Sequence, residues 1–371
     1  MSELDLLYTD IEEDLRATVR DALADRCDTA AVTAVYDGDR SLVGSLWKTL
    51  AVDLGLAGLL VPENQGGAGA TAREAAVVLE ELGHTVAPVP FLTSAVLATT
   101  ALRATDREAG TELLTDLAAG ECTAALTVPL STAPDTELPA VRAEGGRLTG
   151  TVTSVAGALE AEVLLVPATT EHGPALFAVA AGEAGREPVI SLDMTRQLAD
   201  VTLRGTPGTL VLTEAEPAMR RALRTTTALL AAEQVGIARW CLEETVAYLK
   251  QRTQFGRIVG GFQALKHRLA DLAAGIDGAT SAARYAAATL AAEDLDSETA
   301  AAIAQAYCGE LAVTAAEEAI QLHGGIGMTW EHPTHLYLKR AKADQLAFGT
   351  PGHQRTKLAE LIDLPGPLSH A

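Results

Sequence analysis

The spacing of apolar positions changes twice along the chain and divides it into three stretches. Over residues 1–120 apolar residues recur at helical spacing: Leu4 to Leu23 among Asp, Glu and Arg, then Leu42 to Leu54, then Ala75 to Leu82. Thr71-Ala-Arg-Glu74 sets a hydroxyl and a glutamate three residues apart, a capping-box start for the last of these helices. Gly83 is its expected stop. Val61-Pro-Glu-Asn-Gln-Gly-Gly-Ala-Gly69 reads as turns.

Over 121–213 the pattern becomes short β-branched runs broken by Gly, Pro and Asp. The runs are Thr123–Thr127, Leu148–Val152, Val163–Val166, Leu176–Val179, Asp200–Leu203 and Thr209–Leu212. This spacing predicts a small β-barrel or sandwich. From 214 the helical period returns. Leu230, Ile237, Cys241 and Tyr248 share one stripe of a long helix; Phe262–Ala274 begins a second and Thr299–Leu322 a third. Long helices with short joints predict a four-helix bundle. The expected fold is α+β, mainly α. It has an N-terminal helical domain (1–120), a middle β-barrel (121–213) and a C-terminal four-helix bundle (214–371). The tail from Pro365 is Pro/Gly-rich and expected to fray.

Composition narrows the partners. The chain has 371 residues, 48% hydrophobic and 21% charged, within the range of water-soluble globular proteins. Aromatics are only 4%, and alanine, the best helix former, is abundant between Ala282 and Ala292. The formal charge of −21 argues against nucleic acid or an anionic membrane as partner. The four cysteines, Cys27, Cys122, Cys241 and Cys308, are scattered with no CxxC pair. They suggest a reducing, cytoplasmic setting, with neither a disulfide framework nor a metal site. The acidic N-terminus lacks the apolar core of a signal peptide. The most apolar run, Phe91 to Leu102, is too short to span a bilayer.

The chemistry-bearing motifs lie in the third stretch: Arg252-Thr-Gln-Phe255-Gly256 and, some seventy residues on, Gln321-Leu-His-Gly324-Gly325-Ile-Gly327. Either alone reads equally as a surface arginine with a core phenylalanine, or as a helix cap. Together at this spacing, and with Gly55-Leu-Ala-Gly-Leu-Leu-Val-Pro-Glu63 and Glu80-Glu81-Leu82-Gly83 upstream, the chain resembles the acyl-CoA dehydrogenase family over essentially its whole length. The resemblance implies FAD and an acyl-CoA substrate, with an electron-transfer flavoprotein-like acceptor. It also implies that Arg252, Gln254, Phe255, Gln263, Gln321, Gly324 and Gly325 contact FAD. The residue types suit such a role. They offer a planar cationic fork for pyrophosphate, an apolar plate, amides, and glycines where backbone approaches the cofactor. His323 reads as a packed, hydrogen-bonded histidine and His267 as part of a solvated helix face.

The family's catalytic glutamate has no counterpart. Its commonest position falls on Phe348, in Leu346-Ala-Phe-Gly-Thr350, and its alternative position on Thr226. The family's flavin- and thioester-binding strip survives only as Thr127, Pro129 and Asp135, and its aromatic-x-Thr aligns with Ser154-Val155-Ala156. In family homodimers the neighbouring subunit supplies the RxxFG and QxxGG contacts. The chain keeps that set and lacks the set that acts in its own active site. It is therefore expected to have no catalytic residue of its own. The resemblance points to a base-less subunit of a heteromeric acyl-CoA dehydrogenase, an α2β2 assembly acting on a bulky acyl-CoA, as in actinobacterial sterol side-chain breakdown. Its partner would be a homologous subunit with an intact glutamate. The alternative is a stand-alone homologue repurposed in secondary metabolism, with Asp344 or His353 as substitute base, though both also read as surface or helix-terminal residues. Lys339, Arg340 and Lys342 are basic candidates for contact with CoA.

Overall fold

A computed structural model of the chain describes residues 4–139 and 141–365. Of the tail expected to fray, 366–371 lie outside the described residues. Helix α1 (Asp10–Arg26) starts later than the apolar pattern suggests, because Thr9 and Glu12 close a capping box there. Short helices α2 (Thr29–Ala34) and α3 (Ser41–Lys48) follow, and a π-helical turn, Thr49–Asp53, carries α3 through the rest of the expected segment. Helix α4 (Ala72–Thr85) has the Thr71–Glu74 capping box read from the sequence. Gly83, however, does not stop it. It lies inside the helix, where an added Cβ would come within 2.1 Å of the Glu233 carbonyl oxygen. Gly236 is its counterpart, with an added Cβ 2.0 Å from the Glu80 carbonyl oxygen. The glycine pair lets two backbones touch at a helix crossing. Phe91–Ala98 (π-helical), α5 (Thr99–Leu102) and α6 (Glu108–Ala119) complete this part.

The middle sheet contains β1 (Ala124–Leu126), β2 (Arg142–Glu144), β3 (Arg147–Ala156), β4 (Val163–Thr170), β5 (Gly173–Ala180), β6 (Gly185–Val189), β7 (Leu198–Pro207) and β8 (Thr209–Leu212). Its order is β6-β7-β3-β2-β4-β5-β8, with β1 also on β4. Strands β1 and β2 run parallel to β4 and the other pairs are antiparallel. Six strands match the β-branched runs; β2 and β6 are additional. Alternate residues such as Leu148 and Val152 on β3 and Val201 and Leu203 on β7 fill one apolar interior, the period-two pattern of a half-buried sheet.

The bundle is built from α7 (Glu216–Gln251), α8 (Gln263–Ala291), α9 (Ser297–His323), α10 (Thr334–Leu346) and α11 (Pro351–Leu361). Its seam is made largely of alanine: Ala228 and Ala231 of α7, Ala279, Ala283 and Ala286 of α8, and Ala300 and Ala304 of α9. Side chains this small let the helices approach closely, which accounts for a large core with few aromatics. The four cysteines are free thiols. Among the described residues no helix is long and apolar enough to cross a membrane.

Candidate functional site

Helix α7 ends at Gln251, and Arg252 leaves it in extended conformation as the C-cap. A two-stranded hairpin follows, β9 (Thr253–Gln254) against β10 (Arg257–Ile258). Its turn is Phe255-Gly256, with φ of 52° and 72°. Two left-handed residues in succession make a type I′ turn, which normally takes Asn-Gly. Phenylalanine in that conformation is disfavoured by roughly 1–2 kcal/mol, and the ring is 91% exposed. It contacts Phe262 edge-on at 6.2 Å between centroids, and the Arg257 guanidinium sits 3.8 Å from the Phe262 centroid. A strained backbone that holds an aromatic ring out in water implies a use for that ring outside this subunit's core.

The other motif meets the hairpin at the same end of the bundle. Helix α9 ends at His323, and Gly324 turns the chain with φ 65° and ψ −140°, a region open essentially to glycine alone. Nothing lies within 4 Å of a Cβ added at Gly324 or Gly325. The Tyr248 hydroxyl donates to the His323 carbonyl (3.3 Å), and the two rings stack at 4.4 Å, which joins the ends of α7 and α9. Gln263, at the first position of α8, and Gln321, in the last turn of α9, are exposed, as are Arg252, Gln254, Phe255, Gly324 and Gly325. Gln254 Nε2 donates to the Thr253 carbonyl at 2.8 Å. No carboxylate among the described residues pairs with Arg252. All seven residues expected to contact the flavin are thus surface groups of this chain. His323 is buried, its Nδ1 2.6 Å from the Ala319 carbonyl oxygen, and His267 is exposed.

The positions expected for the family base, Phe348 and Thr226, are closed. Phe348 is 1% exposed, sits in the main apolar core, and has φ of 52°. Its N–H donates to the Leu130 carbonyl (2.9 Å), the Leu130 N–H to Ser154 O (3.0 Å), and Gln354 Nε2 to Phe348 O (2.9 Å). Thr226 is fully buried, its hydroxyl returned to the Ala222 carbonyl of its own helix (2.8 Å). Thr227, next to Thr226, and Gln354, bonded to the Phe348 carbonyl, line a cleft of about 50 Å³ together with Asp135 and Lys357 among others. That is room for a water molecule or two, not for an acyl thioester.

Behind Phe348 lies a buried ionic network that no local sequence pattern announces. Arg196 donates to both oxygens of Glu233 (2.7 Å each) and to Asp344 Oδ1 (2.5 Å). Arg340 donates to Asp193 Oδ2 (2.7 Å), Glu233 Oε1 (2.6 Å) and Thr195 Oγ1 (2.5 Å). Burial alone would raise the Asp193 carboxyl, but the Arg340 charge and the Thr195 hydrogen bond hold it below the usual range. Asp344 is pushed up to about 8, first by burial and then by the Glu233 charge.

The network corrects two expectations. Asp344 lies in the last turn of α10 as a helix-terminal residue but is not on the surface: it is wholly buried and bonded through Oδ1 to Arg196, out of reach of a substrate, and burial pushes its carboxyl up. Arg340 cannot contact CoA, because it is 2% exposed and spent on Asp193 and Glu233. The other basic candidates are also engaged: Lys339 lies over the rings of Tyr36 (4.3 Å) and Trp330 (4.0 Å), and Lys342 faces Glu317 at 3.6 Å. His353 is half-buried and bonded through Nε2 to Asp135 Oδ1 (2.8 Å), which ties the middle sheet's strip to α11. Folding also places Glu244 and His332 beside His323, a grouping that sequence reasoning missed; a histidine nine residues beyond His323 was the one available hint.

Comparison with known proteins agrees with this architecture. Residues 9–121 match the family model described as acyl-CoA dehydrogenase, N-terminal domain, and residues 217–362 match acyl-CoA dehydrogenase, C-terminal domain. The acyl-CoA dehydrogenase IpdE2 of Mycobacterium tuberculosis is 38% identical over 91% of this chain and 92% of its own length. IpdE2 of Mycolicibacterium smegmatis is 35% identical over 93% of this chain and 96% of its own. Among solved structures, a variant of the Tcur3481–Tcur3483 steroid ACAD superposes with a TM-score of 0.83 at 30% identity, over 95% of this chain and 98% of that one. The ChsE4–ChsE5 complex from Mycobacterium tuberculosis gives 0.84 at 27% identity, over 98% and 100%.

Proposed function

The chain belongs to the acyl-CoA dehydrogenase family, and we propose that within it this protein is the non-catalytic subunit of a heteromeric enzyme that dehydrogenates a bulky acyl-CoA. A homologous partner with an intact glutamate carries out the proton abstraction. This subunit supplies contacts to the ADP half of the partner's FAD through Arg252, Gln254, Phe255, Gln263, Gln321, Gly324 and Gly325. The observation that carries the reading is a contrast within one chain. The side chain at the base position is a fully buried phenylalanine, while the hairpin at Phe255 is held out in solvent against its own backbone preference.

The residues fit one half of FAD better than the other. Arg252 is free to fork onto a pyrophosphate, and the open space at Gly324 and Gly325 admits a cofactor against the backbone. Bound FAD supplies a hydride acceptor; the roles proposed for this chain are to bind the cofactor, to orient it and to keep water away. On the side that would face a flavin ring, Phe348 offers no base, and Ser154 and Val155 offer no aromatic cover. The likeness to the steroid ACAD Tcur3481–Tcur3483 and to the ChsE4–ChsE5 complex supports a mixed oligomer, and a cytoplasmic electron-transfer flavoprotein-like acceptor fits the same scheme.

A stand-alone homologue is the second reading. Two details favour it: Thr127 keeps a fully buried hydroxyl with no hydrogen-bond partner, and His353 forms an Asp135-paired imidazole beside the cleft. Two variants of the assembled protein separate the readings. Arg252→Ala removes charge-assisted bonds of ~1.5–3 kcal/mol and should weaken FAD retention roughly 10- to 150-fold. Phe348→Leu, close in volume, should leave turnover within about twofold. Loss of turnover in Phe348→Leu with flavin retained in Arg252→Ala would reject the non-catalytic role.

A further inference from the structure

We propose that Glu244, His323 and His332 bind a divalent transition-metal ion of the zinc class. The three come from different elements: Glu244 from α7, His323 from the end of α9, and His332 from the segment before α10. One donor atom of each lies within 4.8 Å of the others.

The tautomer of His323 is set by a neighbour that leaves its inner nitrogen free. His323 is 3% exposed, and its Nδ1–H donates to the Ala319 carbonyl oxygen at 2.6 Å. Its Nε2 therefore carries a lone pair, and that atom is buried with no hydrogen-bond partner. His332 Nδ1 lies 3.3 Å from Thr334 Oγ1. The Thr334 hydroxyl proton goes to the Gly327 carbonyl (3.0 Å), so the oxygen is free to accept from His332 Nδ1–H. His332 Nε2 then faces Glu244 Oε1 at 3.6 Å. In the other tautomer the Thr334 amide, 3.4 Å away, donates to Nδ1, and Nε2–H turns to Glu244. Even so, His323 Nε2 stays buried and unpartnered. A backbone or hydroxyl oxygen behind each imidazole is the usual outer shell of a metal site.

Two imidazoles and a carboxylate suit Zn²⁺, Co²⁺ or Ni²⁺ and disfavour Mg²⁺ and Ca²⁺. A tetrahedral site with bonds of about 2.0–2.1 Å sets its ligands roughly 3.3 Å apart. The widest pair must close by up to about 1.5 Å, through rotation of the half-exposed Glu244 side chain and small shifts of the two imidazoles. Three protein ligands leave a fourth position for water. The ion would join α7, α9 and the approach to α10 directly beneath the Gly324-Gly325 turn. Any effect on flavin affinity rests on the function proposed above; the metal site itself does not.

The test uses the full chain in whichever form is stable, alone or co-expressed with its homologue, without a polyhistidine tag, stripped with chelator and titrated with Co²⁺. One equivalent per chain should bind, with visible ligand-field absorption of a low-coordinate site. Zn²⁺ should displace it and raise the melting temperature by several degrees. Glu244→Gln and His332→Gln, both at half-exposed positions, should lose the absorption and the Zn²⁺-dependent shift while melting cooperatively. No stoichiometric Co²⁺ uptake, or an unchanged spectrum in both folded variants, would overturn the proposal. Metal and flavin are quantified separately in each sample, so failure to hold flavin does not count against the metal.

Discussion

Replacing Arg340 with methionine should destabilise the protein far more than replacing Asp344 with asparagine, although both sit in one buried network. Arg196, Arg340, Asp193, Glu233 and Asp344 are each less than a tenth exposed. Two guanidiniums face three carboxylates, so full ionisation would leave one uncompensated negative charge in the core. The network becomes neutral if one acid keeps its proton, and Asp344, pushed up to about 8, is that acid. Its Oδ2 has no hydrogen-bond partner. Arg340→Met leaves Asp193 and Glu233 with only Arg196, a buried charge without a partner. The expected cost is ~3–5 kcal/mol. Asp344→Asn imitates the protonated acid and should not destabilise the protein at pH 7.

The pH dependence follows from the same charges. Between the unfolded value near 3.8 and the folded value of about 8, the folded state holds a proton that the unfolded state has released. Stability contributed by this group is therefore complete below the lower value and falls as pH rises, by up to ~1.4 kcal/mol per unit. Asp344→Asn keeps the neutral form at every pH, so it should flatten that slope and overtake the parent within this window, holding its advantage above pH 8. Urea unfolding at pH 6, 7 and 9, followed by tryptophan fluorescence, measures all three proteins. Equal losses for Asp344→Asn and Arg340→Met at pH 7 would mean that Asp344 is ionised, and the charge assignment would be wrong.

Phe255→Asn should raise stability by about 1 kcal/mol, since asparagine accepts the left-handed turn position more readily; it should also weaken FAD retention in the assembled enzyme, measured by flavin content after gel filtration. A gain in neither stability nor flavin loss would mean that the turn stores no strain. Gly83→Ala should cost about 1–3 kcal/mol or more in urea unfolding, because the added carbon would lie 2.1 Å from a backbone oxygen of α7. A neutral effect would mean that the helix crossing can open without penalty.

Local signals in the sequence translated well into local structure. The Thr71–Glu74 box, the alanine-rich helices and six of the strands rest on contacts within a few residues or on simple periodicity. The misses share a cause. Gly83 looks like a helix stop because nothing nearby in sequence shows that its missing carbon makes room for Glu233. Strand β2 is Arg-Ala-Glu, and β6 contains Pro188 and pairs only with β7, so neither carries a β-branched signature. Arg340 reads as one more surface base until folding brings Asp193, 147 residues away, to its guanidinium. That Phe348 and Thr226 stand where the family resemblance expects a glutamate is legible from single positions. The burial of Phe348 and the grouping of Glu244, His323 and His332 depend on long-range packing.

The most direct measurement is the visible flavin spectrum and native mass of this chain purified alone and then co-expressed with its homologue that carries the glutamate. The proposed function predicts a colourless or unstable chain alone and a yellow mixed tetramer with bound FAD. A yellow homomer from this chain by itself would contradict it.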